Sequence, residues 1–240
     1  MIFERSQLVL GSAAMQRLAS SHVIVFGVGG VGGWCAEALV RSGLGHITIV
    51  DPDVVAESNI NRQIMATSAT VGKPKVEVLR ARLLEINPQA DVVAMQERFS
   101  REDPTAIDLA GYDYIVDAID SLQDKMRLIE QASRAPGKAF SSMGAACKVD
   151  PTNVRIAEFW EVRGCPLGSA LRKKMRQMKV TTEKEVTCVY SDELIPNKWE
   201  ELYPGEPTDK LPNGSLVTVT ATFGLTIASL VLKDIMINEK

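Results

Sequence analysis

The sequence predicts an α/β fold in which a mostly parallel, doubly wound sheet is covered by helices on both faces. The first observation is that short apolar runs, typical of buried strands, alternate with segments of helical periodicity up to residue 142. The second is a glycine-rich turn between the first of these strands and the helix that follows it. The third is size, because 240 residues with 45% hydrophobic and 24% charged residues suit one large domain of this kind.

The predicted elements follow one another as strand and helix. Strands are expected where short β-branched or aromatic runs occur, at 22–26, 46–50, 92–95, 112–116 and 138–142. Helices are expected where apolar residues recur at helical spacing, at 31–42, 75–86 and 123–133. The second helix ends before Asn87-Pro88, because a proline disfavours helical conformation in the residue before it.

The pattern changes after Asp150-Pro151. A further strand is expected within 154–160, and 161–214 is predicted to be an irregular crossover insertion because it contains five prolines, at 166, 196, 204, 207 and 212. A strand at 216–220 and a buried helix at 223–236 would then return to the main sheet. We therefore predict a single domain, 1–240, whose insertion is functional or mobile, as long loops usually are.

Composition excludes several classes of protein. With 27 Lys+Arg against 30 Asp+Glu, the net charge of −3 argues against nucleic-acid binding by bulk electrostatics, although a local basic patch remains compatible. Charged residues follow Met1 without the apolar stretch of a secretory signal, so a cytoplasmic location is expected. The cysteines form no CxxC pair, which argues against a paired-knuckle zinc site.

The apolar C-terminal segment has two interpretations. Residues 211–232 carry no charge, and the stretch is long enough to span a bilayer. However, the segment contains a proline, two glycines, four threonines and two serines, which favour a core element of the fold. Membrane association is therefore not expected.

The glycine-rich turn predicts a nucleotide site. Gly27-Val28-Gly29-Gly30-Val31-Gly32 matches the G-x-G-x-x-G pattern, in which the first glycine permits the turn, the second lets backbone approach a phosphate, and the third allows close helix packing. The phosphate would lie at the helix N-terminus, where free N–H groups and the helix dipole favour negative charge. Asp51 ends the next strand, as expected for a carboxylate that binds ribose hydroxyls. This pattern alone leaves NAD and ATP open.

The segment after Asp51 favours ATP. Ser58-Asn59-Ile60-Asn61-Arg62-Gln63 places amides and a guanidinium in one loop, and Lys75 follows at the start of the next helix. Arg62 and Lys75 could reach one anionic site from different elements. A triphosphate carries more charge than the pyrophosphate of a dinucleotide, and Arg and Lys are the usual groups that neutralise it.

Two carboxylates follow the fourth predicted strand. Asp117 and Asp120, with Ser121 next to them, would lie at the carboxyl edge of the sheet, where such folds bind ligands. Mg²⁺ prefers carboxylates together with phosphate oxygens. Asp120 is therefore the candidate for a magnesium ion that accompanies ATP, whereas Asp117 is equally compatible with a structural carboxylate or helix cap.

In combination and order, these motifs resemble those of the ubiquitin-activating-enzyme-like adenylyltransferases of the ThiF, MoeB and HesA type. The resemblance rests on the glycine turn, Asp51, the string from Asn59 to Gln63, Lys75 with Asn87-Pro88 after its helix, and Asp117-x-x-Asp120. It implies a Rossmann-like fold that uses MgATP to adenylate a carboxylate, with loss of pyrophosphate.

The resemblance also implies roles for matching residues. Asp51 would bind ribose, Asn59, Arg62 and Lys75 would hold the phosphates, and Asp120 would serve Mg²⁺. Arg5, in Phe3-x-Arg5, would reach the nucleotide of a neighbouring protomer, so a homodimer is implied. The predicted nucleotide-binding residues are Gly27, Gly29, Gly30, Gly32, Asp51, Asp53, Asn59, Asn61, Arg62, Gln63, Lys75, Asp117, Asp120, Ser121 and, from the neighbour, Arg5.

The second half resembles the tRNA threonylcarbamoyladenosine dehydratase branch of this superfamily. The matching stretches include 148–152, 165–167, 188–193 and 217–224. This branch activates the carboxylate of threonylcarbamoyladenosine in tRNA and closes it into a ring with net loss of water. Cys188 is the cysteine that falls in a matching motif, so it joins Arg62, Lys75 and Asp120 as a candidate catalytic residue.

One basic run fits a tRNA partner. The stretch 171–179 carries five basic residues and no acidic one, and such a run could contact phosphates or be a solvated helix face. The candidate tRNA contacts are Arg172, Lys173, Lys174, Arg176 and Lys179.

Two other functions remain open from the sequence. One is an adenylyltransferase for a ubiquitin-like sulfur-carrier protein, although members of that branch commonly carry two CxxC pairs that this chain lacks. The other is a nucleotide-binding scaffold in a sulfur-relay or tRNA-modification assembly, with a sulfur-relay protein as partner. A dehydrogenase is the least favoured function, since it explains only the glycine turn and Asp51.

Overall fold

The computed structural model describes residues 2–99, 107–207 and 211–237. Its centre is a seven-stranded sheet in the order β3-β2-β1-β4-β5-β7-β6, in which every neighbouring pair is parallel except β7 and β6. The strands are β1 (His22–Phe26), β2 (His46–Val50), β3 (Asp91–Met95), β4 (Tyr114–Asp117), β5 (Lys138–Ser142), β6 (Arg155–Glu158) and β7 (Val186–Tyr190).

Helices cover both faces of this sheet. They are α1 (Glu4–Leu10), α2 (Ser12–Ser20), α3 (Gly32–Ser42), α4 (Lys75–Ile86), α5 (Leu122–Arg134), α6 (Pro166–Gln177), α7 (Trp199–Leu202) and α8 (Val217–Ile237). Buried side chains of α3, α4 and α8 form one core with the sheet, whereas those of α5 and α6 form a second core on the other face. The predicted doubly wound α/β fold is therefore confirmed.

The strand order explains where a ligand would bind. Moving outward from β1, the chain first builds β2 and β3 on one side and then β4 and β5 on the other. The connections after β1 and β4 therefore leave the sheet in opposite directions, which opens a crevice at the carboxyl ends of these two strands. The glycine turn follows β1 and Asp117-x-x-Asp120 begins at the last residue of β4, so both motifs lie at this crevice.

Most predicted elements of the first half are confirmed, with small shifts at their ends. The bounds of β1, β2, α4 and β5 are those expected, and β3 begins one residue earlier. The fourth strand runs from Tyr114 to Asp117 rather than from 112 to 116, and α5 is slightly longer than the predicted helix. Shifts of one or two residues are normal at fraying helix and strand ends.

The prediction that 161–214 is irregular was wrong. This segment contains α6 and also β7, whose residues pair with β5 on one side and β6 on the other. Four of the five residues of β7 are buried. A strand of five residues is too short for a clear periodic pattern, so the five prolines of the segment led to the prediction of irregular structure.

The predicted returning strand at 216–220 was also wrong, because α8 already begins at Val217. The β-branched residues suggested a strand, but Val219, Phe223 and Ile227 lie one helical turn apart and are fully buried. Threonine hydroxyls bond back along the helix, as from Thr222 Oγ1 to the Thr218 carbonyl at 2.7 Å. Tertiary packing thus overrides local preference, and the predicted helix at 223–236 is confirmed as the larger part of α8.

Helix α8 is also the one helix in the described part of the chain that is long and apolar enough to cross a membrane. These properties of length and composition are shared by core helices. The row of Val219, Phe223, Ile227 and Val231 is buried in the core that includes α3. Packing thus accounts for the apolar face of α8 within the fold.

Helices α3 and α8 pack at unusually close range. A Cβ atom on Gly224 of α8 would lie 2.3 Å from the carbonyl oxygen of Val31 and 3.0 Å from the amide nitrogen of Cys35. Both are backbone atoms at the start of α3, so they cannot move aside as a flexible side chain would. Gly224 therefore sets the separation between α8 and the helix that follows the glycine turn.

We predict that Gly224→Ala lowers the free energy of unfolding by about 1–3 kcal/mol, because the added methyl group overpacks a rigid contact. The measurement is urea unfolding followed by circular dichroism. Gly111→Ala is the matched control, since a Cβ there would meet nothing within 4 Å. Equal stability of the two variants would show that the α3–α8 separation is not limited by Gly224.

Candidate active site

A cleft of about 730 Å³ opens at the carboxyl ends of the central strands. It lies at the crevice where the strand order reverses, as expected for a ligand site in this fold. Most of the predicted nucleotide-binding residues line it: Gly27, Gly29, Gly30, Asp51, Asp53, Arg62, Gln63, Lys75, Asp120 and Ser121.

The glycine turn is shaped by two close backbone contacts. Gly27 has a φ of +81°, and a Cβ there would lie 2.7 Å from the carbonyl oxygen of Ala118, beyond the end of β4. A Cβ on Gly32 would lie only 1.8 Å from the carbonyl oxygen of Gly27. Gly32 is buried beneath the turn rather than in the cleft wall, where it allows α3 to start close to β1. The backbone of Gly29, Gly30 and Val31, just before α3, lines the cleft, so an anion there would lie near the N-terminus of this helix.

Asp51 is held rigidly beside this turn. Its Oδ2 accepts the N–H of Val28 at 2.8 Å, and its Oδ1 accepts the N–H of Asp53 at 2.9 Å. Burial raises the pKa of this carboxyl above the usual value for aspartate, while the nearby charge of Lys75 and the two backbone hydrogen bonds act in the opposite direction. A carboxylate fixed in this way retains lone pairs for ligand hydroxyl groups.

The two predicted cations lie in the same cleft wall. Lys75, whose side chain is 8% exposed, donates to Asp53 Oδ2 at 2.7 Å and lies 3.9 Å from Asp51 Oδ1. Arg62 donates through Nη1 to the Ser58 carbonyl and to Asn61 Oδ1, both at 2.9 Å. The structure therefore brings together the ammonium group of α4 and the guanidinium of the loop after β2, as expected for a shared anionic ligand.

The asparagines of the same loop have a different position. Asn59 Oδ1 accepts the N–H of Ala56 at 3.1 Å, and Asn61 Nδ2 donates to the Ser215 carbonyl at 3.0 Å. Neither side chain is part of the cleft wall. This geometry argues against direct phosphate contact by Asn59 or Asn61. Both side chains instead hold the loop that carries Arg62, and Asn61 joins it to the segment just before α8.

Gln63 is the buried polar side chain of the loop. It is 6% exposed, and its Oε1 has no hydrogen-bond partner within the described residues. Its Nε2 would be 3.6 Å from a Cβ on Gly29, so the amide lies against the glycine turn. An unsatisfied buried amide oxygen costs stability and is unusual outside functional sites, which is consistent with a ligand at this position.

Asp117 and Asp120 have separate roles in the structure. Asp117 is 2% exposed and forms an ion pair of 2.8 Å with Lys125, which is fully buried. It also accepts hydrogen bonds from Ser141 Oγ at 2.7 Å and from the N–H of Ile119 at 3.1 Å. Direct nucleotide binding by Asp117 is therefore not supported, because its oxygens are occupied inside the fold. Asp120, in contrast, is exposed and lines the cleft.

Several cleft residues were not predicted from the sequence. Arg98 follows β3 and donates to Asp124 on α5 through Nε at 3.0 Å and Nη2 at 2.8 Å. A single arginine after a strand matches no known sequence motif, so Arg98 could not be predicted as a site residue. The other unpredicted residues include Phe99, Gly144, Ala145, Ala146, Leu167, Asn213 and Thr220. Residues 144–146 follow the carboxyl end of β5. Because ligands bind at this edge of the sheet, their position could have predicted them as part of the cleft.

A nucleophilic Cys188 is not supported by the structure. Its side chain is fully buried on β7, and it is not part of the cleft wall. Burial raises the pKa of the Cys188 thiol far above its usual range, and this effect outweighs the nearby charge of Lys125. A thiol that remains protonated and inaccessible is a poor nucleophile.

The predicted tRNA-contact residues separate into two groups. Arg172 is 7% exposed and donates to the Phe159 carbonyl at 3.2 Å, so it packs inside the protein and its prediction as a surface contact was wrong. Lys173, Arg176 and Lys179 are exposed on or just after α6, and Lys174 is partly exposed. Arg5, predicted to act from a neighbouring protomer, is exposed on α1 and does not line the cleft of its own chain.

A metal site made of protein ligands alone is not formed. Within residues 2–99, 107–207 and 211–237, no group of three or more His, Cys, Asp or Glu side chains is arranged to hold a metal ion. A cation at Asp120 would therefore need ligand oxygens in addition to those of the protein, as is usual for Mg²⁺ bound with phosphates.

We predict that native protein treated with iodoacetamide at about pH 8 is modified first at Cys147, because this thiol is partly exposed and the other three are buried. Burial also raises the pKa of Cys35 to about 12, so that thiol remains protonated. Mass spectrometry of tryptic peptides gives the order of modification, and unfolded protein is the control. Modification of Cys188 before Cys147 in the native state would restore its candidacy as a nucleophile.

Comparison with known proteins shows which family the chain resembles. The sequence model of the ThiF family matches residues 3–239. The chain is 35% identical to a tRNA threonylcarbamoyladenosine dehydratase of Bacillus subtilis over 98% of this chain and 94% of that protein. A sulfur carrier protein adenylyltransferase of Thermus thermophilus is 36% identical but matches only 54% of this chain and 47% of its own length.

Solved structures of a tRNA threonylcarbamoyladenosine dehydratase share the fold of this chain. The structure of Escherichia coli tRNA N6-threonylcarbamoyladenosine dehydratase in complex with ATP superposes with a TM-score of 0.86 at 34% identity, covering 98% of this chain and 93% of that one. The same E. coli enzyme in complex with AMP also superposes with a TM-score of 0.86. Given the family match across nearly its whole length, the chain belongs to the ThiF family.

Proposed function

We propose that this chain is an ATP-dependent tRNA threonylcarbamoyladenosine dehydratase. The observation that carries the proposal is the cleft at the sheet crevice, which joins a glycine turn, a fixed carboxylate and two cations. The similarity to named dehydratases extends over nearly the full chain, whereas that to the Thermus sulfur-carrier adenylyltransferase covers about half of it. The proposal therefore favours the dehydratase over the sulfur-carrier alternative.

The reaction has two steps. A carboxylate oxygen of threonylcarbamoyladenosine attacks the α-phosphorus of ATP, and the bond to the leaving pyrophosphate breaks. A nucleophile of the same modified nucleoside then attacks the activated carbonyl carbon, loses its proton and displaces AMP, which retains the carboxylate oxygen. The second step is intramolecular and therefore benefits from a high effective molarity, so it requires no enzyme cysteine. The burial of Cys188 is consistent with this scheme.

The cleft residues have distinct roles in nucleotide binding. Asp51 accepts hydrogen bonds from ribose hydroxyls, and the backbone of Gly29 and Gly30 lies against the phosphates at the start of α3. Arg62 and Lys75 neutralise the triphosphate and the negative charge that develops on the leaving pyrophosphate. Lys75 exchanges part of its contact with Asp53 for phosphate oxygens, which is feasible because Asp53 is 62% exposed and readily solvated.

The residues present fit a magnesium ion bound together with ATP. Asp120 is exposed in the cleft and offers the hard oxygen ligands that Mg²⁺ prefers, while phosphates and water supply the rest. When bound, the ion would neutralise part of the negative charge on the phosphate oxygens. The buried pair of Asp117 with Lys125 holds the loop on which Asp120 lies, because Lys125 Nζ also donates to the Ile119 carbonyl at 2.9 Å.

A homodimer is part of the proposal. The N-terminal segment with α1 exposes apolar side chains, since Ile2, before the helix, and Leu8 and Val9, within it, are 68%, 79% and 76% exposed. Exposed apolar side chains so close together are typical of protein contacts. Burial of this surface against a second copy would be consistent with Arg5, on the same helix, reaching the neighbour's nucleotide. A sulfur-relay protein is a further partner consistent with the family resemblance.

The experiment that tests the function is direct. Protein, ATP, Mg²⁺ and tRNA carrying threonylcarbamoyladenosine are incubated, the tRNA is digested, and the modified nucleoside is analysed by mass spectrometry. We expect loss of one water from the nucleoside and formation of AMP and pyrophosphate. An unchanged nucleoside with active control enzyme in parallel would refute the proposal, and pyrophosphate exchange only with a Gly-Gly-ending carrier protein would favour the sulfur-carrier alternative.

We predict that Arg62→Ala and Lys75→Ala each lower kcat by about 10²–10³-fold, as expected for loss of one electrostatic donor. Steady-state AMP formation provides the rate. Arg80→Ala on the exposed face of α4 serves as a matched control with ordinary kcat. Because Lys75 is buried, a thermal melt of each variant checks that it is folded. A folded variant with wild-type kcat would show that the substituted residue does not act on the phosphates.

The exposed basic residues of α6 are proposed to contact tRNA phosphates. Lys173 and Arg176 lie one helical turn apart, so they share a face of α6. Arg176 also lies over the ring of Trp160, 5.5 Å from its centroid, which orders the guanidinium at this surface. Such a local patch is compatible with the overall charge of −3, since phosphate contacts require only a few cations.

We predict that Lys173→Ala combined with Arg176→Ala weakens tRNA binding and lowers the slope of log affinity against log salt by about two, one for each lost phosphate contact. Filter binding across a salt series provides the slope. Lys233→Ala on the exposed face of α8 should leave it unchanged. An unaltered slope in the double variant would place the tRNA on another surface.

A further inference from the structure

The ion pair of Arg98 and Asp124 spans the cleft between elements that lie on opposite sides of β1. Arg98 follows β3, two strands away from β1, whereas Asp124 belongs to α5, which follows β4 on the other side. Both residues line the cleft. The pair therefore crosses the sheet crevice, although no step of the proposed reaction requires it.

The strand order assigns a part of the nucleotide to this end of the cleft. Proceeding along the sheet edge, the glycine turn follows β1, Asp51 stands just after β2, and Arg98 follows β3. Neighbouring strands are about 4.8 Å apart, so three successive ends cover about 10 Å. If the phosphates lie at the glycine turn and the ribose at Asp51, the base lies towards Arg98. This step depends on the proposed function.

The surroundings of Arg98 suit a flat aromatic ligand. Phe99 and Ile119 contribute apolar surface to the cleft, and Phe99 is fixed by an edge-to-face contact with Phe26 at 5.2 Å between ring centroids. Phe99 is 5% exposed, whereas the Arg98 side chain is 65% exposed. Phe99 therefore provides a buried apolar surface, and Arg98 provides a solvent-exposed guanidinium beside it.

The anchoring of Arg98 leaves its faces available. Its Nε and Nη2 both donate to one oxygen of Asp124, so the guanidinium is held along one edge. Asp124 itself is firmly placed, with its side chain 10% exposed in the first turn of α5. A planar guanidinium that is bound by its edge can still stack on a ring through its face, which an ammonium cannot do.

We propose that Arg98 stacks on the nucleobase of the bound nucleotide and that Asp124 is the positioning residue that holds it there. The contact confers affinity for the purine ring and not for the phosphates. It also closes the crevice over the base, because the pair joins the loop after β3 to α5.

The test compares two ligands that differ in the adenosine group, which carries the base. ATP contains the purine, whereas inorganic tripolyphosphate presents only the phosphate chain. Calorimetric titrations at about 0.15 M salt limit long-range effects of the Arg98 charge. The variants are Arg98→Ala, Arg98→Lys and Asp124→Asn. Arg134→Ala is the matched control, since Arg134 lies at the other end of α5 and its Nε donates to Glu183 at 2.8 Å.

We expect Arg98→Ala to lose about tenfold in ATP affinity, within the range for a guanidinium on an aromatic face, with tripolyphosphate affinity unchanged. Arg98→Lys should show nearly the same loss, because it keeps the charge but not the planar group. Asp124→Asn should lose ATP affinity without losing tripolyphosphate affinity, and Arg134→Ala should behave as wild type.

Two results would overturn the proposal. Wild-type ATP affinity in Arg98→Ala excludes stacking, and an equal loss for both ligands assigns Arg98 to the phosphates or to general structure. Failure of the proposed function is distinguishable, since wild-type protein would then bind ATP without converting threonylcarbamoyladenosine in tRNA.

Discussion

The structure depends on one steric constraint, the close approach of the backbone at the turn between β1 and α3. The carbonyl oxygen of Gly27 lies where a Cβ of Gly32 would be, and Gly27 itself lies against the backbone of Ala118. These contacts draw the start of α3 towards the ends of both β1 and β4. The same helix start also accepts Gly224 of α8, so the cleft and the packing of the C-terminal helix share one set of backbone atoms. A side chain at any of these positions would disturb both together.

A buried ion pair is the second interaction on which the site depends. Asp117 and Lys125 are both buried, and their ion pair is supplemented by donors from Ser141 and Ile119 and by the Ile119 carbonyl. Such a pair brings little net stability, because desolvation offsets the attraction, but removing one partner typically costs about 3–5 kcal/mol. It therefore specifies the path of the loop 118–121 rather than simply strengthening the fold. The consequence for function is that Asp120 reaches the cleft while Asp117 supports it from beneath.

The sequence predicted the fold where local pattern and tertiary role agree. Apolar runs such as His22–Phe26 form buried parallel strands, and the glycine turn combines three backbone requirements in six residues, so both are readable without the structure. Prediction failed where tertiary packing decides. The helix start at Val217 depends on burial against α3, and β7 is a strand because it pairs with β5 and β6.

The site shows the same division. Asp51, Arg62 and Lys75 belong to motifs with fixed spacing, and they meet in one cleft. Arg98 and Asp124 are 26 residues apart in the sequence, and the order of the strands in the sheet brings them together. No local sequence pattern therefore predicts their contact. Arg172 illustrates the reverse, since a basic run does not reveal which of its members turns inward. Cys188 matched a family motif, yet burial on β7 determines its chemistry.

The central claim is that the cleft holds ATP with its triphosphate between the glycine turn, Arg62 and Lys75. The most direct measurement is a crystal structure of the protein with Mg²⁺ and a non-hydrolysable ATP analogue. The account predicts ribose hydroxyls on Asp51, phosphate oxygens within hydrogen-bond distance of Arg62 and Lys75, and the metal ion at Asp120. An analogue bound elsewhere, or bound in the cleft with its phosphates away from both cations, would contradict it.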